Sequence, residues 1–243
     1  MTTNPELSLI MPAYNEGSGI EIALDGMERA VKGTGLRYEI IVVDDGSLDN
    51  TRLRAIRYAS NNGHVRVVGY DRNEGKGYAV KTGFMNATGD AVVLVDSDLE
   101  IDTGCISSYI EALYGADIVV ASKWHPESVV EMPLVRRILG HGFNLMVRLM
   151  TGVKLRDTQT GLKAIRKKAF GKIFPRLAVK RYAFDVELLV VAILHGLRVV
   201  EMPVNIKMSA SFSIRDAWRM FLDLLGIAYR LRVRRWYQRN LCI

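Results

Sequence analysis

Residues 39–47 read Glu39-Ile-Ile-Val-Val-Asp-Asp-Gly-Ser47, an apolar run that ends in an acidic turn. Continuous apolar runs rich in Val and Ile are typical of strands buried on both faces of a parallel sheet. Four more such runs are predicted to be strands, at Leu7–Met11, Val65–Gly69, Ala91–Val95 and Asp117–Ala121. Amphipathic stretches between them predict helices at Ser18–Val31, Asn50–Asn61, Gly75–Ala87 and Thr103–Tyr114. This alternation predicts an α/β fold, with a mostly parallel sheet and helices on both faces.

The pattern changes after about residue 122, where longer amphipathic segments replace the regular alternation. The elements predicted there are a helix at Pro133–Thr151, two helical segments within Lys163–Leu194, a short strand at Arg198–Glu201 and a last helix at 214–239. No Pro-rich linker or repeat interrupts the chain. We expect a catalytic domain over residues 1–206 and a basic, amphipathic helical extension over residues 207–243.

Composition limits the class of protein. The 243 residues are 49% apolar and 24% charged, which excludes a disordered chain. No apolar stretch approaches the roughly 18 residues of a spanning helix, and no secretory signal is visible. The two cysteines, Cys105 and Cys242, form no disulfide framework. These observations predict a protein of a reducing compartment, on the cytoplasmic face of a membrane and peripheral to it.

Charge is unevenly distributed along the chain. Residues 1–103 carry a net charge of −6, residues 104–206 carry +7 and residues 207–243 carry +6. A basic second half favours a partner that carries phosphate, such as a nucleotide, a lipid or a nucleic acid. Because the sequence contains no nucleic-acid-binding motif, we expect no nucleic acid among the partners.

Acidic loops follow three of the predicted strands. They read Pro12-Ala-Tyr-Asn-Glu16, Val43-Asp-Asp-Gly-Ser47 and Asp96-Ser-Asp98. Carboxyl ends of parallel strands meet at one edge of a sheet, so these carboxylates are expected to converge there. Converging carboxylates repel one another unless a cation is bound, and oxygen ligands suit Mg²⁺ or Mn²⁺. Each loop alone is also a plain turn, but the three together predict a site for a metal ion and a phosphate.

With Asn73-Glu-Gly-Lys-Gly77, these loops make the sequence resemble the family 2 glycosyltransferases of the GT-A fold. Motifs of the second half resemble those of the dolichol-phosphate (polyprenyl-phosphate) mannose and glucose synthases. They read Ser122-Lys-Trp124, Asp157-Thr-Gln-Thr-Gly-Leu-Lys163, Phe184-Asp-Val-Glu-Leu-Leu189 and Glu201-Met-Pro-Val204. The resemblance implies an inverting hexosyltransferase that uses a nucleotide sugar. It also implies a polyprenyl or dolichyl phosphate as the acceptor.

The resemblance also assigns roles to individual residues. Those that would contact the nucleotide or its phosphates are Pro12, Tyr14, Glu16, Asp44, Asp45, Lys76, Ser97, Lys123 and Lys207. The cation would be held by Asp96, Asp98 and Glu100, where Glu100 stands in place of a glutamine that is frequent in the family. Catalysis would rest on Asp96, Asp98, Lys123, Lys180 and Arg181. Lys123 stands where an arginine is frequent, so a forked contact with phosphate is not expected there.

A phosphate acceptor explains why no general base is evident. The second pKa of a phosphate monoester is about 6, so the acceptor is anionic near neutral pH and can attack directly. The lipid must be met at a surface, and two amphipathic segments are suited to such contact. They are Pro133–Thr151 and the last helix, with its stripe of Trp218, Leu222, Leu225, Tyr229 and Trp236. Leu224, Ile227 and Leu231 form a second apolar edge, so the last helix can also pack against the domain.

The sequence leaves the sugar and the acceptor open. Mannose from GDP-mannose ranks first, and glucose from UDP-glucose is the alternative. A family 2 transferase to another glycan or lipid acceptor is a further enzyme hypothesis. A membrane-bound sensor of nucleotide sugar is the non-enzyme hypothesis, against which the intact Asp-x-Asp pair argues. A separate membrane-protein subunit is a further expected partner, because some relatives use one.

Overall fold

The computed structural model describes residues 5–208 and 214–239. Its β-strands are β1 (Leu7–Ala13), β2 (Tyr38–Asp45), β3 (Val65–Tyr70), β4 (Ala91–Leu94), β5 (Ile118–Ala121), β6 (Val129–Glu131), β7 (Lys163–Arg166), β8 (Val199–Met202) and β9 (Asn205–Lys207). Its α-helices are α1 (Ile20–Lys32), α2 (Thr51–Ser60), α3 (Lys76–Asn86), α4 (Ile106–Ala112), α5 (Leu134–Thr151), α6 (Lys167–Ile173), α7 (Phe184–Leu194) and α8 (Ile214–Ala228). Cys242 lies outside the described residues.

The main sheet has seven strands in the order β3-β2-β1-β4-β7-β5-β8. All neighbouring pairs are parallel except those of β7, which runs antiparallel to both β4 and β5. Because β1 pairs with β2 on one side and with β4 on the other, the loops after these three strands share one edge. The predicted convergence of the three acidic loops is confirmed.

Two apolar cores lie on opposite faces of this sheet, as the α/β prediction requires. Alternation along β1 sends Leu9 and Met11 to one core and Ile10 to the other. Helices α1, α2 and α4 cover the first face, whereas α3, α6 and α7 cover the second. Each fully buried Leu or Ile contributes about 1.5–3 kcal/mol relative to an exposed one, so both layers stabilise the sheet.

Strand β7 was not predicted, and it is the largest correction to the expected topology. Residues 163–166 stand at the start of the segment predicted to hold two helices, which are observed as α6 and α7. Lys163 begins the strand, and its side chain is only 1% exposed although lysine rarely occupies a buried strand position. A short run that contains lysine therefore carried no strand signal.

The C-terminal segment departs from the predicted single helix over residues 214–239. Helix α8 ends at Ala228, a π-helical turn follows at Tyr229–Val233, and Arg235 adopts a left-handed conformation with φ of 48°. Leu224 and Ile227 are fully buried in the same core as α7, which confirms the inner edge of α8. The division of the chain at residue 206 stays a prediction. Among the described residues, no helix has the length and apolar character to cross a bilayer.

Candidate active site

A cavity of about 300 Å³ opens at the edge where β1, β2 and β4 end. The predicted site residues that line it are Pro12, Tyr14, Glu16, Asp45, Lys76, Asp96, Ser97, Asp98 and Arg181. Ala13, Asn73, Gly75 and Tyr182 complete the wall. Most residues that the sequence assigned to a nucleotide and its phosphates therefore share one cavity.

Asp45 organises the turn that leads into α3. Its carboxylate accepts hydrogen bonds from the hydroxyl of Tyr70 at 2.6 Å, the amide of Asn73 at 2.9 Å, and the backbone N–H groups of Glu74 and Gly75 at 2.9 and 3.0 Å. Gly75 has φ of 102°, a conformation that favours glycine. The turn thus directs the N-terminus of α3 at the cavity, and such helix ends attract anions.

Two carboxylates that line the cavity, Glu16 and Asp98, lie near other negative charges. Burial, followed by the charge of Asp96, raises the pKa of Asp98 to about 6. Burial and the charges of Asp98, Asp49 and Asp96 raise the pKa of Glu16. A nucleoside diphosphate would add further negative charge here, and a bound cation would offset that repulsion.

The carboxylate of Asp96 is held by a series of alternating charges, partly exposed at Asp96 and Lys76 and buried at Asp185 and Lys163. The ammonium of Lys76 lies 2.9 Å from both carboxylate oxygens of Asp96 and 3.1 Å from Oδ2 of Asp185. Lys163 lies on the other side of Asp185, at 2.8 Å. Burial lowers the pKa of Lys76, but Asp185 and Asp96 outweigh burial and raise it. Burial raises the pKa of Asp185, but the two lysines outweigh burial and lower it.

The chain of polar contacts continues to Lys123. Lys163 donates to the carbonyl of Thr160 at 2.6 Å, and the ammonium of Lys123 donates to the hydroxyl of Thr160 at 2.8 Å. Lys123 also lies 2.8 Å from Asp157, whose pKa would be raised by burial but is lowered to about 2, chiefly by Lys123. Gly161 stands beside this chain, and a Cβ there would lie 1.9 Å from Oδ2 of Asp96. These polar contacts thus connect Asp96 to Lys123, which lines a second cavity next to the first.

That neighbouring cavity is larger, about 620 Å³, and mostly apolar. It lies between α5 and α8, and its lining includes Trp124, Leu139, Phe143, Met146, Met220 and Phe221. Lys123 and Arg136 bring positive charge to its wall. Tyr182 lines both cavities, so the two adjoin at this side chain.

The structure does not bring five of the predicted residues into the smaller cavity. Asp44 is buried against β3, where it accepts from the N–H of Ser47 at 3.3 Å. Lys123 lines the apolar cavity instead. Lys180 pairs with Glu74 at 3.0 Å, and Lys207 on β9 pairs with Glu131 at 3.1 Å. Glu100 is paired with Arg136 of α5 at 3.1 Å.

Tyr182, Asp185 and Lys163 lie in or beside the motifs of the second half, but the sequence predicts no role for them. Tyr182 separates the two cavities, and Asp185 and Lys163 hold Lys76 against Asp96. The signal was a charge, an Asp or a Lys, inside otherwise apolar runs such as Phe184–Leu189. A charge in such a run predicts a buried partner, although it does not say which one.

The carboxylate oxygens of Asp96 and Asp98 are of the type that a hard divalent cation prefers, although they supply only part of its ligands. Among the described residues, no group of three His, Cys, Asp or Glu side chains is placed to hold a metal ion. The carboxylate of Glu100 is paired with Arg136 on α5, and its place in the predicted triad stays a prediction. The exposed Asp98 carboxylate beside Asp96 still fits an ion that keeps waters and takes its other ligands from a diphosphate.

Comparison with known proteins identifies the family. The sequence profile of glycosyl transferase family 2 matches residues 8–174, more than half of the chain. The chain belongs to glycosyl transferase family 2. The family resemblance drawn from the motifs is confirmed.

Similar proteins within this family include dolichyl-phosphate beta-glucosyltransferases. A dolichyl-phosphate beta-glucosyltransferase of Trichomonas vaginalis is 34% identical over 245 residues, which cover 94% of this chain and 72% of that protein. The human dolichyl-phosphate beta-glucosyltransferase is 30% identical over 250 residues, with coverages of 95% and 77%. Both names specify glucose, whereas mannose is the first-ranked prediction from the sequence.

A solved structure supports the fold. Glucosyl-3-phosphoglycerate synthase from Mycobacterium tuberculosis, in complex with Mn²⁺, UDP and phosphoglyceric acid, matches with a TM-score of 0.71. The match covers 93% of this chain and 78% of that chain at 20% identity. At that identity the likeness concerns the architecture, and it confirms the predicted GT-A fold.

Proposed function

We propose that this protein transfers glucose from UDP-glucose to dolichyl or another polyprenyl phosphate, with inversion to a β-linked product. The observation that carries the proposal is the pair of adjoining cavities, one acidic at the strand ends and one apolar, which meet at Tyr182. A water-soluble donor and a lipid acceptor need two such environments side by side. The names of the relatives support glucose over mannose.

The smaller cavity suits the nucleotide sugar. Asp96 and Asp98 would hold Mg²⁺ or Mn²⁺ together with the diphosphate, and Tyr14 and Pro12 would flank the nucleoside. The cation, when bound, would stabilise the negative charge of the leaving nucleoside diphosphate. Lys76 and Arg181 bring positive side chains to the same wall. The residues of the chain therefore mainly position the donor and stabilise charge.

The larger cavity suits the lipid phosphate. Its apolar lining would accommodate the first prenyl units, and Lys123 and Arg136 would face the phosphate. Because an anionic phosphate oxygen attacks without losing a proton, the proposal requires no side chain in the role of base. Asp157 and Thr160 fix the ammonium of Lys123, so that its orientation does not depend on the acceptor.

A donor panel tests the proposal. Purified protein, Mn²⁺ and dolichyl phosphate are incubated with radiolabelled UDP-glucose or GDP-mannose and then extracted into organic solvent. We expect label in the lipid phase from UDP-glucose, lost when EDTA is added and released by mild acid. Lipid label from GDP-mannose alone would restore the mannose hypothesis. Label from neither donor, with active human enzyme as the positive control, would reject the proposed reaction.

We further propose that the protein docks on the cytoplasmic face of a membrane through the outer sides of α5 and α8. Helix α5 exposes Leu134, Ile138, Leu145 and Leu149, and the C-terminal segment exposes Trp218, Leu222, Leu225 and Tyr229. The two helices pack against each other, and Arg232 donates to the carbonyl of Leu149 at 2.9 Å. Exposed apolar side chains beside arginines suit the interface of an anionic bilayer. The expected membrane-protein subunit stays a prediction.

The double variant Trp218→Glu, Leu222→Glu should bind vesicles at least about ten-fold more weakly, because each lost apolar insertion removes roughly 1.5–3 kcal/mol. Flotation with vesicles of roughly one-third anionic lipid measures this. The matched control is Leu48→Glu, Leu53→Glu, which changes two exposed leucines outside α5 and α8. Equal vesicle binding by both double variants would contradict the proposed surface.

A further inference from the structure

The loop at residues 177–183 forms one wall of the smaller cavity. Its Arg181 and Tyr182 line that cavity, and the carbonyl of Lys180 accepts from the N–H of Tyr78 at 3.1 Å. The loop is packed so closely on the turn before α3 that a Cβ at Gly75 would lie 2.7 Å from both the Lys180 carbonyl oxygen and Cγ of Arg181. A small displacement of this loop therefore changes the shape of the cavity.

The start of the loop is tied to a buried carboxylate. Glu187 on α7 is fully buried, and its Oε2 accepts from the backbone N–H groups of Ala178 and Val179, at 2.7 Å each. At the other end of the loop, the N–H of Ala183 interacts with Asp223 on α8. A buried carboxylate requires several donors to be stable, so the position of Glu187 depends on what binds its second oxygen.

The second oxygen is held by the C-terminal segment. The hydroxyl of Tyr237 donates to Oε1 of Glu187 at 2.5 Å, and Arg230 donates to the same oxygen at 3.3 Å. Nε of Arg230 also donates to the hydroxyl oxygen of Tyr237 at 2.8 Å. Tyr237 is fully buried, and its carbonyl lies 2.8 Å from Nε2 of His195. One carboxylate thus joins residues 229–238 to the cavity loop.

We propose that Tyr237 and Arg230, acting through Glu187, are positioning residues that keep the 177–183 loop in the shape that binds the donor. The identity of the donor rests on the proposed function, whereas the link from Tyr237 and Arg230 through Glu187 to the loop does not. The C-terminal segment is therefore part of the donor site's support. Tyr237 does not touch the donor; its effect reaches Arg181 and Tyr182 through the backbone of Ala178 and Val179.

The test is Tyr237→Phe, which removes one hydroxyl that donates to a buried carboxylate. Such a hydrogen bond, when lost, should make loop opening about ten-fold more frequent. Limited trypsin digestion, with fragments mapped by mass spectrometry, should then cleave after Lys180 and Arg181 about ten-fold faster. Calorimetry with UDP and Mn²⁺ should show a Kd raised about three- to ten-fold. In turnover, the KM for UDP-glucose should rise more than kcat falls.

Tyr58→Phe is the matched control, because its hydroxyl donates to Asp25 at 2.6 Å on the surface. It should alter neither cleavage after Lys180 nor UDP binding. Arg230→Gln is a second variant, which removes the other hydrogen bond to Oε1 of Glu187. Faster cleavage in either variant with unchanged UDP affinity would overturn the positioning role. Unchanged cleavage in both variants would show that the hydrogen bonds of Tyr237 and Arg230 to Glu187 do not hold the loop. If the wild type binds no UDP, the proposed function fails, and the cleavage rates alone decide whether the tie holds the loop.

Discussion

Asp98→Asn should lower sugar transfer at least about 1,000-fold, since charge stabilisation by a bound cation supplies several kcal/mol in such sites. Asparagine keeps the size of the side chain but removes one of the two negative charges that would hold the ion. The kcat/KM with UDP-glucose and dolichyl phosphate measures the loss, and calorimetry with Mn²⁺ and UDP should show weaker binding of the pair. Asp90→Asn is the control, because Asp90 is exposed and does not line the cavity.

The same variant should be more stable than the wild type at neutral pH. Burial and the charge of Asp96 raise the pKa of Asp98 from 3.8 to about 6, so the folded chain binds its proton more tightly than the unfolded chain. The wild type therefore loses stability as pH rises from about 4 to about 6, and the cost is fully present above that range. Asparagine cannot ionise and escapes this cost.

Thermal unfolding in EDTA measures the gain. We expect the Tm of Asp98→Asn to exceed that of the wild type by about 1–3 °C at pH 7.5, and to match it near pH 4. This corresponds to roughly 0.5–1 kcal/mol, because the Asp98 side chain is exposed and water screens much of its charge. A lower Tm at pH 7.5 would show that the Asp98 carboxylate stabilises the apoprotein. Unchanged sugar transfer would remove Asp98 from the proposed cation site. The opposite signs expected for activity and stability are typical of functional carboxylates.

The sequence predicts well those features that depend on residues close together in the chain, namely the parallel strands and the loops that follow them. Runs such as Glu39–Val43 are apolar at every position after the first and rich in Val and Ile, which is typical of a strand covered on both faces. The acidic loop after each strand then falls at one edge because parallel strands share a direction. The sequence therefore predicts that Asp45, Asp96 and Asp98 share one site, and all three line the smaller cavity.

The missed features depend on partners far apart in the chain. Arg136 pairs with Glu100 from 36 residues away, which no local pattern could reveal. The local sequence around Lys163 does not reveal its partner, Asp185, which lies beyond a helix and a loop. Asp44 and Asp45 are adjacent, yet strand alternation sends only Asp45 to the cavity. Sequence identified the types of residue in the site, whereas tertiary pairing decided which of them meet.

The buried pair of Lys163 and Asp185 is where we expect the largest loss of stability. Lys163→Met should destabilise the fold by about 3–5 kcal/mol, because it leaves a buried carboxylate without its nearer partner. The Lys163 side chain is 1% exposed, and its ammonium lies 2.8 Å from Asp185. Lys76 remains at 3.1 Å, but it is shared with Asp96.

Urea unfolding at pH 7 measures this loss, and Lys168→Met is the control because Lys168 is exposed on α6. Adding Asp185→Leu to Lys163→Met should recover part of the stability, since replacing both charges of a buried pair with apolar groups is often nearly neutral. If the double variant is no more stable than Lys163→Met, the lysine acts through packing rather than charge.

The same loss should depend on pH. Lys163 and Lys76 lower the pKa of Asp185, so the wild type loses this stabilisation as pH falls below 3.8, the ordinary pKa of the group. The difference in free energy of unfolding between the wild type and Lys163→Met should therefore shrink in that range. A difference that persists in acid would mean that Lys163 supports β7 independently of Asp185. In that case the charge chain from Asp96 to Lys123 would not stabilise the strand that separates β4 from β5.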